Sequence, residues 1–219
     1  PMNSVSVFNQ KKVDELVILD ISLSNNNKIP DINNLKKLAI EARMPLAYGG
    51  GINNHEIAID LISSGFEKII IGNALHHDMS IITNISKKTG SQSVVAILNY
   101  FKCQKENIFK IKTPNNDLDI SDVKGFAEKI KDHGAGEIIF QNIDRDGTLL
   151  GYDGDILKNI YFDLNIPITI LGGASSFDDI KLISNQFPLI GIGVGSLFVF
   201  KGKFKAVLLN YPENVDDIL

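Results

Sequence analysis

Cysteine is almost missing: Cys103 is the one example in 219 residues, which excludes an internal disulfide and any cysteine-based metal site, and fits a reducing compartment. Histidine is scarce too. His55, His76, His77 and His133 fall on helical patterns or at helix starts, and the His76–His77 pair has no acid at metal-ligand spacing, so neither a metal nor a cofactor is expected. No apolar run approaches the roughly 18–20 residues of a membrane span, and no basic start leads into an apolar signal segment. An excess of positive charge is also lacking. The 22 Lys and Arg stand against 26 Asp and Glu, and the formal net charge is −4. The lysines are scattered, which argues against a nucleic-acid face. The expectation is a soluble cytoplasmic protein with neither nucleic acid nor membrane as partner. The first residue is Pro1 rather than methionine, so a preceding segment is expected as well.

What the chain does have is a duplication. PLAYGGG at 45–51 returns as PITILGG at 167–173, an offset of 167 − 45 = 122. Glu15-Leu-Val-Ile returns as Glu137-Ile-Ile-Phe at the same offset, and Leu35-Lys36 as Leu157-Lys158. Gly72-Asn73-Ala74-Leu75 returns more loosely as Val194-Gly195-Ser196-Leu197. One offset held over some sixty residues marks an internal repeat. Each copy reads strand, helix, glycine-ended strand, helix, strand with a small-residue end.

In order, apolar periodicity predicts a helix at 4–13 and a buried strand at 16–20 that ends in Asp20. Asp31 caps the next helix, with Leu35, Leu38 and Ala39 inward. A strand follows at 46–49, then a helix at 56–64 capped by Asn53 or Asn54, a strand at 68–72, and a helix from Asp78 to Lys88. The second half gives a strand at 93–99 and an extension or hairpin at 101–112. A helix at 123–133 is capped by Asp119 or Ser121, with Phe126, Ala127 and Ile130 inward. Then come a strand at 137–143, a loop at 144–152, a helix at 154–164, a strand at 168–171, a helix at 177–185 and a strand at 189–194. There is no linker, only a polar loop at 25–28.

Strands alternating with helices predict βαβ units and a parallel sheet. Seven strands are counted, and the copy of the one at 93 belongs at 93 − 122 = −29. Two halves of about 122 residues make about 244, the size of a (β/α)8 barrel. Residues 1–219 are therefore expected to be one such barrel domain, incomplete at its N-terminus and lacking the first strand. An open doubly wound sheet of seven strands is the alternative.

The C-terminal strand ends form the active face of a parallel barrel. Here they carry Asp20, Gly49-Gly50-Gly51, Gly72-Asn73, Asn99, the stretch from Asn142 through Asp144, Asp146 and Gly147 to Thr148, Gly172-Gly173 and Gly195-Ser196. Glycines at strand-to-helix turns let backbone N–H groups converge on a phosphate. A lone pair would be only a tight turn, but the duplication predicts two phosphate sites and a substrate with a phosphate at each end. Gly173→Val is expected to weaken anion binding by steric exclusion and leave the fold largely intact. The Asp144–Thr148 stretch reads as a ligand-facing turn or as a plain polar loop with Asx turns. Asp20 reads as an acid, a base or a hydrogen-bond anchor. Nothing marks Cys103 as activated. Glu15, Lys68 and Glu137 open alternate strands on the opposite face, and from spacing alone they read as ordinary surface charges.

The motifs DELVILDIS, YGGGI, GSQSVV, GAGEI, IDRDGTLLGYD and GGA resemble the cyclase subunit of imidazole glycerol phosphate synthase, a (β/α)8 partner of a glutamine amidotransferase. The likeness runs from about residue 3 to 200. The two ends are similar to cyclase-like paralogues of surface-polysaccharide clusters, associated with sugar amidation. The resemblance implies a glutaminase subunit as heterodimer partner and a small phosphorylated or nucleotide-sugar substrate. It implies one phosphate site at Gly50, Gly51, Gly72 and Asn73, and another at Asp146, Gly147, Thr148, Gly172, Gly173, Gly195 and Ser196. Glu15, Lys68 and Glu137 match the family's charged gate for ammonia. One of the family's two catalytic aspartates aligns with Asn99, whose amide is no general acid or base. Three functions therefore stay open: an ammonia-using synthase subunit, a non-catalytic barrel that docks and activates a glutaminase, and a two-phosphate sugar isomerase.

Overall fold

The computed structural model describes residues 2–23, 28–114, 119–201, 206–209 and 211–212; the polar loop expected at 25–28 lies outside them except for Lys28. Two compact units are present, one of residues 1–96 with 130–136 and one of 97–129 with 137–219.

The first unit opens with α1 (Met2–Lys11), followed by β1 (Leu16–Leu19), α2 (Ile32–Glu41), β2 (Leu46–Gly49), α3 (His55–Ser63), β3 (Lys68–Ile71) and α4 (Ser80–Thr89). It takes in the start of β4 (Val94–Cys103). β1, β2, β3 and β4 are parallel neighbours, with Leu16 opposite Leu46, Tyr48 opposite Ile69, and Ile70 opposite Val95. The strands are short apolar runs, and their burial makes the core: Leu46, Tyr48, Ile69, Ile70, Ile71 and Val94 are all within 2% of full burial. α1 is pinned to the end of α2 by Asn9, which donates to the Glu41 carbonyl at 2.9 Å and accepts from the Arg43 N–H at 2.8 Å.

The second unit continues β4 into β5 (Ile108–Ile111), then has most of α5 (Val123–Asp132), β6 (Glu137–Asn142), α6 (Gly154–Ile160), β7 (Ile168–Leu171), α7 (Phe177–Gln186), β8 (Gly191–Gly193) and α8 (Ser196–Val199). β9 (Phe200–Lys201) and β10 (Ala206–Val207) make a separate antiparallel ribbon. β4, β6, β7 and β8 are successive neighbours, and β5 pairs antiparallel with β4 and bridges through Ile111 to Ile120. Among the described residues seven parallel strands alternate with helices, an α/β fold of the (β/α)8 class.

The repeat holds down to single hydrogen bonds. Leu16 N–H donates to the Pro45 carbonyl, and Ile138 N–H to the Pro167 carbonyl, each at 3.0 Å and 122 residues apart (138 − 16). Asp31 and Asp153 are the N-caps of α2 and α6 (153 − 31 = 122), and Asn54 and Ser176 those of α3 and α7 (176 − 54 = 122). Such a cap contributes about 1 kcal/mol over alanine. The glycine pairs 50–51 and 172–173 all have positive φ. Gly72 and Gly195 share a backbone conformation (φ −117, ψ −99 and φ −107, ψ −89), each capping a short helix, so the looser copy is displaced by one residue (195 − 72 = 123).

Several boundaries differ from expectation. α4 begins at Ser80 rather than Asp78, because Asp78 folds its carboxylate onto the Ser80 N–H and hydroxyl at 2.8 and 2.7 Å in a turn of its own. The cap of α5 is Asp122, which accepts from Gly125 N–H at 2.9 Å, and not Asp119 or Ser121. Asp119 is occupied by the Thr113 N–H at 3.2 Å and Lys112 at 3.3 Å. α6 stops at Ile160, and β8 starts at Gly191, after Leu189 has turned into the left-handed region (φ 70) with its side chain in solvent. β4 does not end at residue 99. It runs on to Cys103, where Tyr100 to Cys103 pair with Ile111 to Ile108. Asn99 thus lies where the parallel ladder gives way to the hairpin, not at a strand tip.

Candidate functional site

β6 hands the chain to a loop that its own last residue folds. Asn142 Oδ1 accepts from the N–H groups of Asp144 and Arg145 at 3.0 and 3.2 Å, and its carbonyl accepts from Asp146 N–H at 3.0 Å. Arg145 then reaches across the loop to the carbonyls of Gly151 and Tyr152 at 3.0 and 3.1 Å. Asp179 accepts from Tyr152 N–H at 3.3 Å and Ser175 N–H at 3.1 Å, which ties the loop to the start of α7. The Tyr152 hydroxyl donates to the Gly193 carbonyl at 2.8 Å; burial first, and the Asp179 charge second, push this phenol up and keep it a donor.

This scaffold shapes a small pocket lined by Asp146, Gly147, Leu149, Leu171, Gly172, Gly173, Ala174, Gly193, Gly195 and Ser196. All the residues expected for the second phosphate site except Thr148 are therefore in one place. Thr148 closes the turn instead, donating to the Arg145 carbonyl at 2.7 Å and accepting from Leu150 N–H. The pocket glycines are required by geometry. Gly172 and Gly173 have φ of 95 and 107; a Cβ on Gly172 would lie 2.6 Å from the Asn142 carbonyl, and one on Gly173 would meet the Gly151 carbonyl. Gly173→Val therefore disturbs the loop itself, so the expectation of an intact fold is corrected. Gly195 is different: a methyl group added there would have nothing within 4 Å.

In the first unit, pairing of Gly49 with Ile70 sets Gly50-Gly51 and Gly72-Asn73 on adjoining strand ends. A Cβ on Gly50 would lie 2.6 Å from the Asp20 carbonyl. Asp20 N–H donates to the Gly49 carbonyl at 2.7 Å, and its carboxylate accepts from the Ser22 N–H and hydroxyl at 3.1 and 2.7 Å. Burial, then the Asp20 charge, push the nearby Tyr48 phenol up.

Glu15 and Lys68 are half-buried and paired at 2.7 Å in the first unit. Glu137 in the second accepts from the Thr169 hydroxyl at 2.6 Å. Asn99 is half-buried, and its Oδ1 is buried with no hydrogen-bond donor in reach. Of the positioning residues, Asn142 was picked out only as the start of the active-face stretch, Arg145 sits unmarked inside the IDRDGT motif, and Asp179 reads as an ordinary acid in the first turn of α7.

Among the described residues no three His, Cys, Asp or Glu side chains are grouped as a metal site, and no helix is long and apolar enough to cross a membrane. A family model described as histidine biosynthesis protein matches residues 1–205. A Leptospira borgpetersenii protein with the provisional name imidazole glycerol phosphate synthase subunit HisF is 42% identical over 217 residues, 99% of this chain and 85% of its own length. A Vibrio vulnificus protein with a similar provisional name is 41% identical, over 97% of this chain and 82% of its own. The imidazole glycerol phosphate synthase subunit HisF of Chlorobium phaeobacteroides is 34% identical over 78% of this chain and 68% of its own. A matched family model over nearly the whole chain, relatives of this similarity and the twofold strand-end glycine geometry lead to one conclusion: the chain belongs to the histidine biosynthesis protein family.

Proposed function

We propose that this chain is the ammonia-using, cyclase-type subunit of a glutamine amidotransferase pair of the imidazole glycerol phosphate synthase kind, working in the cytoplasm. The observation that carries the reading is the pocket where Asp146, Gly147, Gly172, Gly173, Gly195 and Ser196 converge, in a chain whose relatives bear that synthase's name. Backbone N–H groups at glycine turns and at the start of a helix suit a phosphate. The repeat supplies a second such set at Gly50, Gly51, Gly72 and Asn73. Each set would take one phosphate.

In this reading a separate glutaminase subunit releases ammonia, which passes Glu15, Lys68 and Glu137 at the strand starts and attacks the held substrate at the opposite strand ends. The Glu15–Lys68 pair supports a gate because both side chains keep part of their surface in water, which can solvate each charge when the pair opens. Lys68→Met, assayed in the complex with its glutaminase, is expected to lower glutamine-driven turnover while turnover on added ammonium salt persists. Equal loss in both assays would remove the gate role. Absence of turnover on ammonium by the unaltered protein, with phosphate still bound, would leave the non-catalytic docking role in its place.

A further inference from the structure

The second unit also holds a cleft of about 260 Å³ between the β4–β5 hairpin and the helices α5 and α6. Strand residues alternate between two faces, so Tyr100 and Lys102 of β4 share one face of the hairpin with their partners Ile111 and Phe109 of β5. Tyr100 and Ile111 are fully buried, which makes this the inward face. Lys102 stands at the outer end of that core row. Its ammonium lies 5.7 Å from the centre of the Phe109 ring, and Phe109 in turn meets Tyr100 edge to face at 5.8 Å.

The helices supply the opposite wall. Val123 opens α5, and Ile156 and Ile160 lie four residues apart on one side of α6; all three are buried and all three line the cleft. Lys124, beside Val123, lines it as well, and its ammonium rests on Asp163 at 2.6 Å. Both members of that pair are about half exposed, so the bond is weak and the ammonium is able to turn toward a ligand. The cleft is therefore apolar in its depth and cationic at its rim. It shares no lining residue with the phosphate pocket.

We propose that this cleft binds an aromatic carboxylic acid, with its rings between Phe109 and the two α6 isoleucines and its carboxylate on Lys102 and Lys124. Size and charge select that class. An apolar cavity of roughly 150 Å³ takes benzene, so this larger one has room for a pair of fused rings. An aromatic guest gives Phe109 a stacked or edge-to-face partner. A carboxylate meets the lysines with charge-assisted hydrogen bonds, and a cation of the same shape would be repelled by them. The site stands whether or not the glycine pocket takes phosphate.

Calorimetric titration with 2-naphthoate and with its uncharged counterpart, 2-naphthamide, tests the site. The unaltered protein is expected to bind the acid at one site, and the amide about five- to thirty-fold more weakly. Lys102→Met keeps the apolar stem and drops the charge, so it should weaken the acid by a similar factor and leave the amide unchanged. Asn159→Trp places a bulky side chain at an exposed lining position of α6 and should abolish binding of both probes at an unchanged melting temperature. Excess inorganic phosphate should not displace the acid. Absence of binding by 2-naphthoate, equal affinity for acid and amide, or binding undiminished in Asn159→Trp would overturn the proposal. Displacement by phosphate would put the acid in the phosphate pocket and overturn it as well.

Discussion

Asn99→Asp is expected to raise ammonium-dependent ring closure by about 10²–10⁴-fold, the usual worth of general acid–base assistance. The unaltered protein is expected to be correspondingly slow on the substrate of imidazole glycerol phosphate synthases, even with ammonium in excess, because an amide does not exchange protons. The replacement is nearly isosteric, so it tests chemistry rather than packing. The position also favours the gain. Asn99 Oδ1 is buried, and burial disfavours a charged carboxylate, which raises its pKa toward the range useful for proton transfer. If the new carboxylate works as a base, the gained rate should rise with pH through that raised pKa and level off above it. No gain, with phosphate binding and glutaminase docking intact, would favour a different substrate or a non-catalytic role. A fast unaltered enzyme would show that the reaction needs no carboxylate at this point.

Gly173→Val carries the largest expected effect on stability. Its φ of 107 lies where L side chains rarely go, and holding one there costs about 1–3 kcal/mol. The branched side chain would also crowd the Gly151 carbonyl and the Arg145 side chain. The Gly151 N–H donates to the Gly173 carbonyl at 2.8 Å, so both sides of that contact are forced apart together. Urea unfolding should show the loss as a lower midpoint with little change in slope. Gly172→Ala should behave similarly, since its Cβ would lie 2.6 Å from the Asn142 carbonyl. A variant as stable as the parent would mean that the loop does not hold these residues as described.

Much of this was readable in the sequence, and the legible part was the short-range part. The caps at Asp31 and Asn54 were expected because a cap is an acid, amide or hydroxyl side chain bonding an N–H two or three residues on. The repeat carried the same caps to Asp153 and Ser176 unread. Where several polar residues compete within a few positions, sequence could not rank them: Asp119, Ser121 and Asp122 all stood before α5, and only folding assigned Asp119 to Thr113 and Lys112. The continuity of β4 depended on which strand would meet residues 100–103, and β5 supplies that partner. The pocket glycines were legible because backbone conformation selects glycine directly. Arg145 and Asp179 were not, because their work is to bond backbone groups six to 27 residues away. Asn99 was placed at a strand end by the strand pattern and set apart from the family's aspartate by the resemblance, while the run of β4 past it to Cys103 is visible only in three dimensions.

The central claim is that one duplicated chain holds two phosphate sites, one in each half. Equilibrium dialysis of labelled inorganic phosphate against the unaltered protein and Gly195→Ala tests it most directly. The methyl of Gly195→Ala meets no atom of the protein within 4 Å, yet Gly195 lines the pocket, so the fold should be untouched while an anion there is displaced. The account predicts two phosphates bound per unaltered chain, and one per Gly195→Ala chain at an unchanged melting temperature. A stoichiometry of one or none in the unaltered protein, or loss of both sites in the variant, would contradict it.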